Sequence, residues 1–480
     1  MDPTMDIKAA PSEMMLENRT FDEIAAGESA SLVRTLREDD IELFAVVSGD
    51  LNPAHLDPVY AETDLFHKII AHGMWSGALI SAVLGTKLPG PGTIYLSQKL
   101  HFHAPISVGD TITTTVTVQE KRPEKQRIIF VCRCIDQLGR EVVTGTAEVQ
   151  APREKVRRPR VELPDVRLNR HRRFRELLAH ATGQPPVPVA VAHPCDELSL
   201  AAAVEVAAVG LIEPILVGPE ARIRAAANAA KLNIDGFRLV NAPHSHAAAA
   251  QAVALVRAGE AELLMKGSLH TDELMHEVVS GETGLRAGRR LSHVYIMDVP
   301  AYPRPLLVTD AAINIAPKLE DKRDIVQNAI DLAQTMGVKQ PRVAILSAVE
   351  TVNPTLRSTL DAAALCKMAD RGQITGGLVD GPLAFDNAVS PEAARQKGIV
   401  SPVAGQADIL VVPDLEAGNM LAKQLSFLSG ADAAGVVVGA RVPIILTSRA
   451  DSTRTRIASC AVAVLMARAL RATDGAVNNA

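Results

Sequence analysis

Between residues 151 and 176 the chain reads APREKVRRPRVELPDVRLNRHRRFRE, and the pattern of apolar residues differs on its two sides. Pro152, Pro159 and Pro164 interrupt this stretch and arginine dominates it. Each proline removes a backbone donor and fixes φ, so neither a long helix nor a central strand can run through it. We read residues 156–169 as a linker, with a new helix starting near Asn169. Its positive charge is read as a solvated linker and helix face. Before the break, the mixed apolar segment IIAHGMWSGALISAVLG is too long for an ordinary strand and predicts a buried helix. Runs dense in Thr, Val and Ile follow: TIYLSQKLHFHAPI, DTITTTVTVQEKR and RIIFVCRCIDQLGREVVTGTAEVQA. Turn residues at 108–110, 122–125 and 136–140 separate the strands, predicting an α+β domain with an antiparallel meander wrapped on one helix. After the break, short apolar runs such as VPVAVAH, AELLMKG, RVAILSA and VPIILTS alternate with Ala-rich helical segments. That alternation predicts a parallel or mixed sheet with helices on both faces. About 300 residues is large for one sheet, so we expect two lobes with a cleft between them.

Composition narrows the function. A chain of 480 residues has room for two to four domains. Apolar residues are 47% and aromatics 3%, so the cores must be built from Ala, Val, Leu and Ile. The net charge of −5 argues against a nucleic-acid binder. No apolar run reaches the ~20 residues that a membrane span requires. The N-terminal MDPTMDIKAAPSEMM lacks the basic start and apolar stretch of a secretory signal. Five scattered cysteines fit a reducing compartment, and we expect a cytoplasmic protein.

Chemistry first concentrates at residues 44–61, FAVVSGDLNPAHLDPVYA. Gly49 permits a sharp turn, Pro53 stiffens the chain beyond it, and Asp50 and His55 can be aimed at one point. A carboxylate and an imidazole so placed can hold a water, one group taking a proton and the other giving one. Ala71-His72-Gly73-Met74 follows at the start of the long helix, where free backbone N–H groups can receive a developing oxyanion. The segment SGDLNPAHLDPVYA resembles the signature of MaoC-like (R)-specific enoyl-CoA hydratases, and FHAPISVGDTI (102–112) resembles a second segment of that family. The resemblance covers roughly residues 20–152. It implies a hot-dog fold, a dimer, and addition of water to a trans-2-enoyl-CoA. It further implies that Asp50 and His55 are the catalytic pair, that Asn52 orients the turn beside the substrate, and that the Gly73 amide is the oxyanion donor. His101 with His103, and Cys132 with Cys134, have strand spacing but lack further ligands, so no metal is expected.

Chemistry concentrates a second time at strand ends after the break. AELLMKGSLHTDELM places Lys266 and Gly267 at the end of a strand, VVPDLEAGNMLAKQL places Gly418 and Asn419 at a helix start, and PIILTSRADSTRTRI places Ser448 and Arg449 after a buried strand. In open α/β sheets ligands sit at carboxyl ends of strands, where helix N-termini accept phosphate. There is no GxGxxG and no Walker A loop, so a nucleotide cofactor lacks sequence support. The segments MKGSLHT, GLVDGPLAFDNAV, SPVAGQADILVVPDLEAGN and LTSRADS, in this order, resemble the phosphate acetyl/butyryltransferase family over roughly residues 171–472. That resemblance implies two α/β lobes like those of isocitrate/isopropylmalate dehydrogenases, with an interlobe cleft. It places Ser448 and Arg449 at the phosphoryl group, and Lys266, Gly267 and Asn419 among the substrate-binding residues. Acetyl-specific members carry an aspartate six residues beyond the arginine, where this chain has Thr455. The base for the CoA thiol and the acyl preference therefore stay open, with Asp380, Asp386 and Asp451 as nearby acids.

The reading is a multidomain protein with an α+β hot-dog domain at 15–155, a linker at 156–169 and a two-lobed α/β domain at 170–475. Its substrates would be acyl-CoA, CoA, and inorganic phosphate or acyl phosphate. CoA enters as a substrate and no cofactor is held permanently. We expect no nucleic-acid or membrane partner and a homo-oligomer, dimeric or larger. One competing reading keeps only the transferase active, with a hot-dog domain that binds acyl-CoA or dimerises. Another takes the C-terminal lobes, which resemble decarboxylating hydroxyacid dehydrogenases in outline, as an enzyme with acidic metal ligands that reduces NAD(P).

Overall fold

The computed structural model describes residues 15–164, 166, 168, 171–446 and 451–477. Contacts divide the chain into two compact units, Met1–Leu168 and Asn169–Ala480.

The first unit contains strands β1 (Met15–Glu17), β2 (Ser29–Thr35), β3 (Ile94–Phe102), β4 (Thr111–Arg122), β5 (Arg127–Ile135), β6 (Glu141–Gln150) and β7 (Arg157–Pro159). Its helices are α1 (Glu38–Ser48), α2 (Pro53–Leu56), α3 (Pro58–Thr63) and α4 (Gly73–Thr86). Five strands form an antiparallel sheet in the order β2-β4-β5-β6-β3. In β4 every second residue is buried, as Ile112, Thr114, Val116 and Val118, because successive side chains point to opposite faces. That face packs on Trp75, Leu79, Ile80, Val83 and Leu84 of α4, with Phe130 and Cys132 from β5.

Three expectations change here. The strands are not a simple meander: β3 pairs with β6, not with β4, and occupies an edge. β2, with only partial alternation in SASLVRT, supplies the other edge. The helix begins at Gly73 rather than at Ile69, since Ile70 is held in a bridge to Ser107. The segment read as a linker also contributes structure, because Arg157–Pro159 pairs antiparallel with Met15–Glu17. Pro159 is tolerated there because a two-stranded ribbon leaves one side of each strand without a partner.

The second unit contains β8 (Val187–Ala192), β9 (Ile212–Gly218), β10 (Arg238–Asn241), β11 (Leu263–Lys266), β12 (Ser292–Asp298), β13 (Leu306–Thr309), β14 (Arg342–Leu346), β15 (Leu378–Leu383), β16 (Ile409–Val411), β17 (Asp432–Val438) and β18 (Ile444–Ile445). They form one eleven-stranded sheet in the order β10-β9-β8-β11-β18-β17-β12-β13-β16-β14-β15. Most neighbours are parallel; β17 is antiparallel to β18 and β12, and β12 to β13. β15 was not visible in the sequence, because Asp380, Gly381 and Pro382 interrupt its apolar run.

Hydrogen bonding thus does not break the sheet into two. Packing divides it on one face only. Val189 and Val191 of β8 share one cluster with Ile409 and Val411 of β16, under helices Glu197–Ala208, Leu319–Thr335 and Thr453–Val477. On the opposite face, Ala190 and Ala192 pack with Ala248, Ala249 and Ala252. There Leu410 and Val412 pack instead with Val308, Ala344 and Leu425, in a separate cluster. Small Ala faces let the helices sit close to the sheet, which explains how so few aromatics suffice.

Candidate functional sites

In the first unit, α1 ends on Gly49, whose φ of 75° is the left-handed conformation that glycine adopts at least cost. The chain then turns through Asp50, whose carboxylate accepts the Asn52 N–H at 3.2 Å. The Asn52 side chain accepts the Ala54 N–H at 3.2 Å and caps α2, with Pro53 at its first turn. Asn52 therefore shapes the turn. His55 lies on α2, and its Nδ1 is 2.9 Å from the Ile70 carbonyl. A carbonyl only accepts, so Nδ1 carries the proton and Nε2 is left with its lone pair.

His72 caps α4 and is almost fully buried. Its Nε2 lies 3.1 Å from the Asp50 carbonyl oxygen, and its ring centroid lies 4.0 Å from that of His55. One donor atom from each of Asp50, His55 and His72 lies within 4.8 Å of the others. Such a set has the chemistry of a divalent-cation site as well as of an acid–base pair. The sequence reading considered only two of its members as reacting groups. A cavity of ≈ 250 Å³ opens here between His55, His72, Gly73, Ser76, Phe102 and Pro105. Gly73 is the first residue of α4, where the N–H has no intrahelical acceptor. A Cβ at Gly73 would stand 3.1 Å from the Phe102 ring, so a side chain there would crowd that ring. The structure thus brings Asp50, His55 and Gly73 to one place, and adds His72, whose only sequence signal was its position before a glycine at a helix start.

Cys132 and Cys134 are buried in the sheet, and desolvation pushes the Cys132 thiol up to about 12. His103 Nε2 meets the Thr144 hydroxyl at 2.6 Å across the strands. Neither pair belongs to a ligand cluster among the described residues.

In the second unit, β11 ends at Lys266, whose Nζ donates to the carbonyls of Gly267 at 3.2 Å and Leu269 at 3.0 Å. Gly267 presses on the end of β8: its N–H donates to the Ala192 carbonyl, and a Cβ would stand 2.5 Å from that oxygen. Ser268 then latches to His193, with its Oγ donating to the His193 carbonyl at 2.8 Å and accepting the Cys195 N–H at 3.1 Å. Burial first, and then the nearby Arg222 charge, hold the His193 imidazole below its ordinary pKa. Lys266, Gly267, Ser268 and Thr271 line a cavity of ≈ 260 Å³ with Asp196, Ser199 and Arg456. Arg456 reaches it from the last helix, anchored on Glu205 at 2.9 Å and on the Asp451 carbonyl at 2.8 Å. Its Nε is buried without a partner. The sequence reading missed Arg456 and Asp196, which stand far apart in the chain and belong to no common motif.

Gly267→Ala should therefore cost about 1–3 kcal/mol, because its Cβ would meet backbone that cannot turn aside. The second unit's melting temperature should fall while the first unit's transition stays in place. An unchanged melting temperature would mean that the loop relaxes freely.

Other expected positions lie elsewhere. Asn419 sits against the loop after β13, with Nδ2 donating to the Ala311 carbonyl at 3.3 Å, and is not among the residues lining the Lys266 cavity. Its neighbour Gly418 approaches the Asp310 carbonyl so closely that a Cβ would stand 2.7 Å away. Asp386 pairs with Lys397 at 3.3 Å, and Asp380 accepts the Gly381 N–H at 2.8 Å, so neither faces that cavity. Asn419, Asp380 and Asp386 are on strands and helices beyond the β12–β13 pair, and the intervening sheet separates them from β11. Ser448 and Arg449 lie outside the described residues. The chain on either side of them is described: Ile445 pairs with Met265, next to Lys266, and Arg456 lines the cavity.

Residues 244–464 match the model of the Phosphate acetyl/butaryl transferase family, and residues 23–134 match that of the MaoC like domain. The phosphate acetyltransferase of Rhizobium meliloti is 66% identical over 300 residues, which cover 62% of this chain and 95% of that protein. A branched-chain phosphotransacylase from Enterococcus faecalis V583 has a similar structure, with a TM-score of 0.53 and 33% identity over 58% of this chain and 99% of that one. An R-hydratase from Pseudomonas aeruginosa is 46% identical over 32% of this chain and 99% of its own, with a TM-score of 0.31.

Proposed function

Since the chain belongs to the phosphate acetyl/butyryltransferase family through its second unit and carries a MaoC-like domain in its first, we propose that it is a bifunctional acyl-CoA enzyme. The second unit moves an acyl group between CoA and phosphate: acyl-CoA + phosphate ⇌ acyl phosphate + CoA. The first adds water to a trans-2-enoyl-CoA with (R) specificity. The observation that carries the hydratase reading is the convergence of the Asp50 carboxylate and the His55 imidazole near the start of α4 at Gly73.

In the hydratase site, Asp50 and His55 hold the water. As its oxygen bonds to Cβ, one proton passes to the pair, and a proton is returned from the pair to Cα. The thioester oxygen takes up negative charge during attack and is received by the Gly73 N–H. In the transferase site, Ser448 and Arg449 hold the phosphoryl group. Phosphate oxygen attacks the thioester carbonyl and CoA thiolate leaves, with the reverse step forming the thioester. The cavity at Lys266 and Arg456 is the neighbouring part of that site, and positive charge there favours anionic phosphate and thiolate. An interlobe cleft belongs to the same reading, in keeping with the division of the core on one sheet face.

The first unit also fits a dimer. β3 is a sheet edge and exposes Ile94, Leu96 and Phe102, a surface that a second copy would cover. A reducing, cytoplasmic setting is part of the reading, and all five cysteines are unpaired. No helix among the described residues is long and apolar enough to cross a membrane.

The direct test is to follow loss of the conjugated thioester of crotonyl-CoA, and CoA-dependent release of phosphate from acetyl, propionyl and butyryl phosphate, on one preparation. Transfer without hydration would leave a transferase with a binding-only first domain. The activities should also separate physically. Residues 1–168 expressed alone should hydrate crotonyl-CoA, and residues 169–480 should transfer acyl groups, because each unit has its own core. Two insoluble fragments from a chain that folds intact would show that the units depend on each other.

A further inference from the structure

His72 is buried, with 2% of its surface exposed, yet its ring is only half satisfied. Nδ1 is enclosed and has no hydrogen-bond partner. A phenyl ring in the same space would avoid that loss, so stability does not explain an imidazole here. The polar bond the ring does make is from Nε2 to the Asp50 carbonyl oxygen, 22 residues earlier in the chain. Because that oxygen only accepts, Nε2 carries the proton and Nδ1 is the bare nitrogen. The bond pins the peptide that follows Asp50, between the Gly49 turn and the Asn52 N–H that holds the Asp50 carboxylate. On its flanks the His72 ring lies 4.0 Å from His55 and 5.1 Å from Phe44, centroid to centroid. One side chain thus touches both members of the pair, with Nε2 taken up by the Asp50 carbonyl and Nδ1 enclosed.

We propose that His72 is a positioning residue for hydration: it sets the aim of Asp50 through the backbone and packs the His55 ring in place. This rests on the hydratase reading of the first unit. His72 itself exchanges no proton with the substrate.

The test uses the full chain and four variants: His72→Phe, His72→Gln, Asp50→Asn and the double variant of His72→Phe with Asp50→Asn. His72→Phe keeps the ring and loses the donor. Misaiming a reacting group by about 1 Å costs about 10²-fold, so kcat for crotonyl-CoA should fall about that much with KM little changed. The melting temperature should hold or rise, and phosphate transfer should be unaffected. His72→Gln offers an amide N–H in place of Nε2–H and should recover most of the loss. On top of Asp50→Asn, His72→Phe should cost little more, because its main target is already disabled. If Asp50→Asn is inactive while His72→Phe keeps its kcat, the inference is wrong and the hydratase site stands. The inference is equally wrong if Gln fails to restore what Phe removes, if the two losses multiply in full, or if the loss follows a fall in melting temperature. If Asp50→Asn itself hydrates at the normal rate, the site reading fails, and the role of His72 fails with it.

Discussion

Asp50→Asn should lower hydration of crotonyl-CoA by about 10²–10⁴-fold and leave acyl transfer to phosphate unchanged. The substitution is chosen because it changes chemistry and little else. An asparagine Oδ1 can still accept the Asn52 N–H that the Asp50 carboxylate holds at 3.2 Å, so the turn between α1 and α2 should persist. What disappears is a carboxylate able to trade a proton with water. His55→Ala should cost a similar factor for a different reason. It removes the bare Nε2, together with the Nδ1–H bond to the Ile70 carbonyl that orients the ring. Rates within about threefold of the parent in Asp50→Asn would remove the assignment of the site. The unchanged transferase rate on the same preparation is the control for misfolding.

Arg449→Lys should lower turnover with acyl phosphate by about 30- to 1,000-fold, equivalent to about 2–4 kcal/mol of transition-state stabilisation. Lysine keeps the charge but loses the planar two-point grip on phosphate oxygens. The charge on phosphate grows as the acyl bond breaks, so the loss should fall on kcat. Arg449 itself lies outside the described residues; of the chain around it, Ile445 pairs with Met265 and Arg456 lines the Lys266 cavity. If Arg449 were instead an ordinary exposed arginine paired with Asp451, Arg449→Lys would keep nearly full transfer and lose at most ~1 kcal/mol of stability. Crotonyl-CoA hydration should not change in either case. Transfer and melting temperature measured together decide between the two.

The turn that carries Asp50 and His55 was legible because its determinants are local. Gly49 releases φ, Asn52 caps and Pro53 stiffens, so that turn is written in the consecutive positions 49–55. His72 was not legible as their support, because its meaning lies in a bond to a carbonyl 22 residues away. The transferase cavity shows the same contrast. Lys266 and Gly267 stand in a readable strand end, whereas Asp196 and Arg456 join them only when β8, β11 and the last helix meet.

The amino-acid sequence by itself determined where the two units divide in character, that one is a sheet on a helix and the other alternates strands with helices, and which short turns carry reactive groups. These follow from periodicity and from backbone preferences, which act between near neighbours. Only the tertiary structure decided that β3 joins β6 at an edge, that Arg157–Pro159 turns back to pair with Met15–Glu17, that β15 exists despite Gly381 and Pro382, and that eleven strands share one sheet. Many pairings satisfy the same local preferences, and the one adopted is selected by which apolar faces the whole chain can bury together.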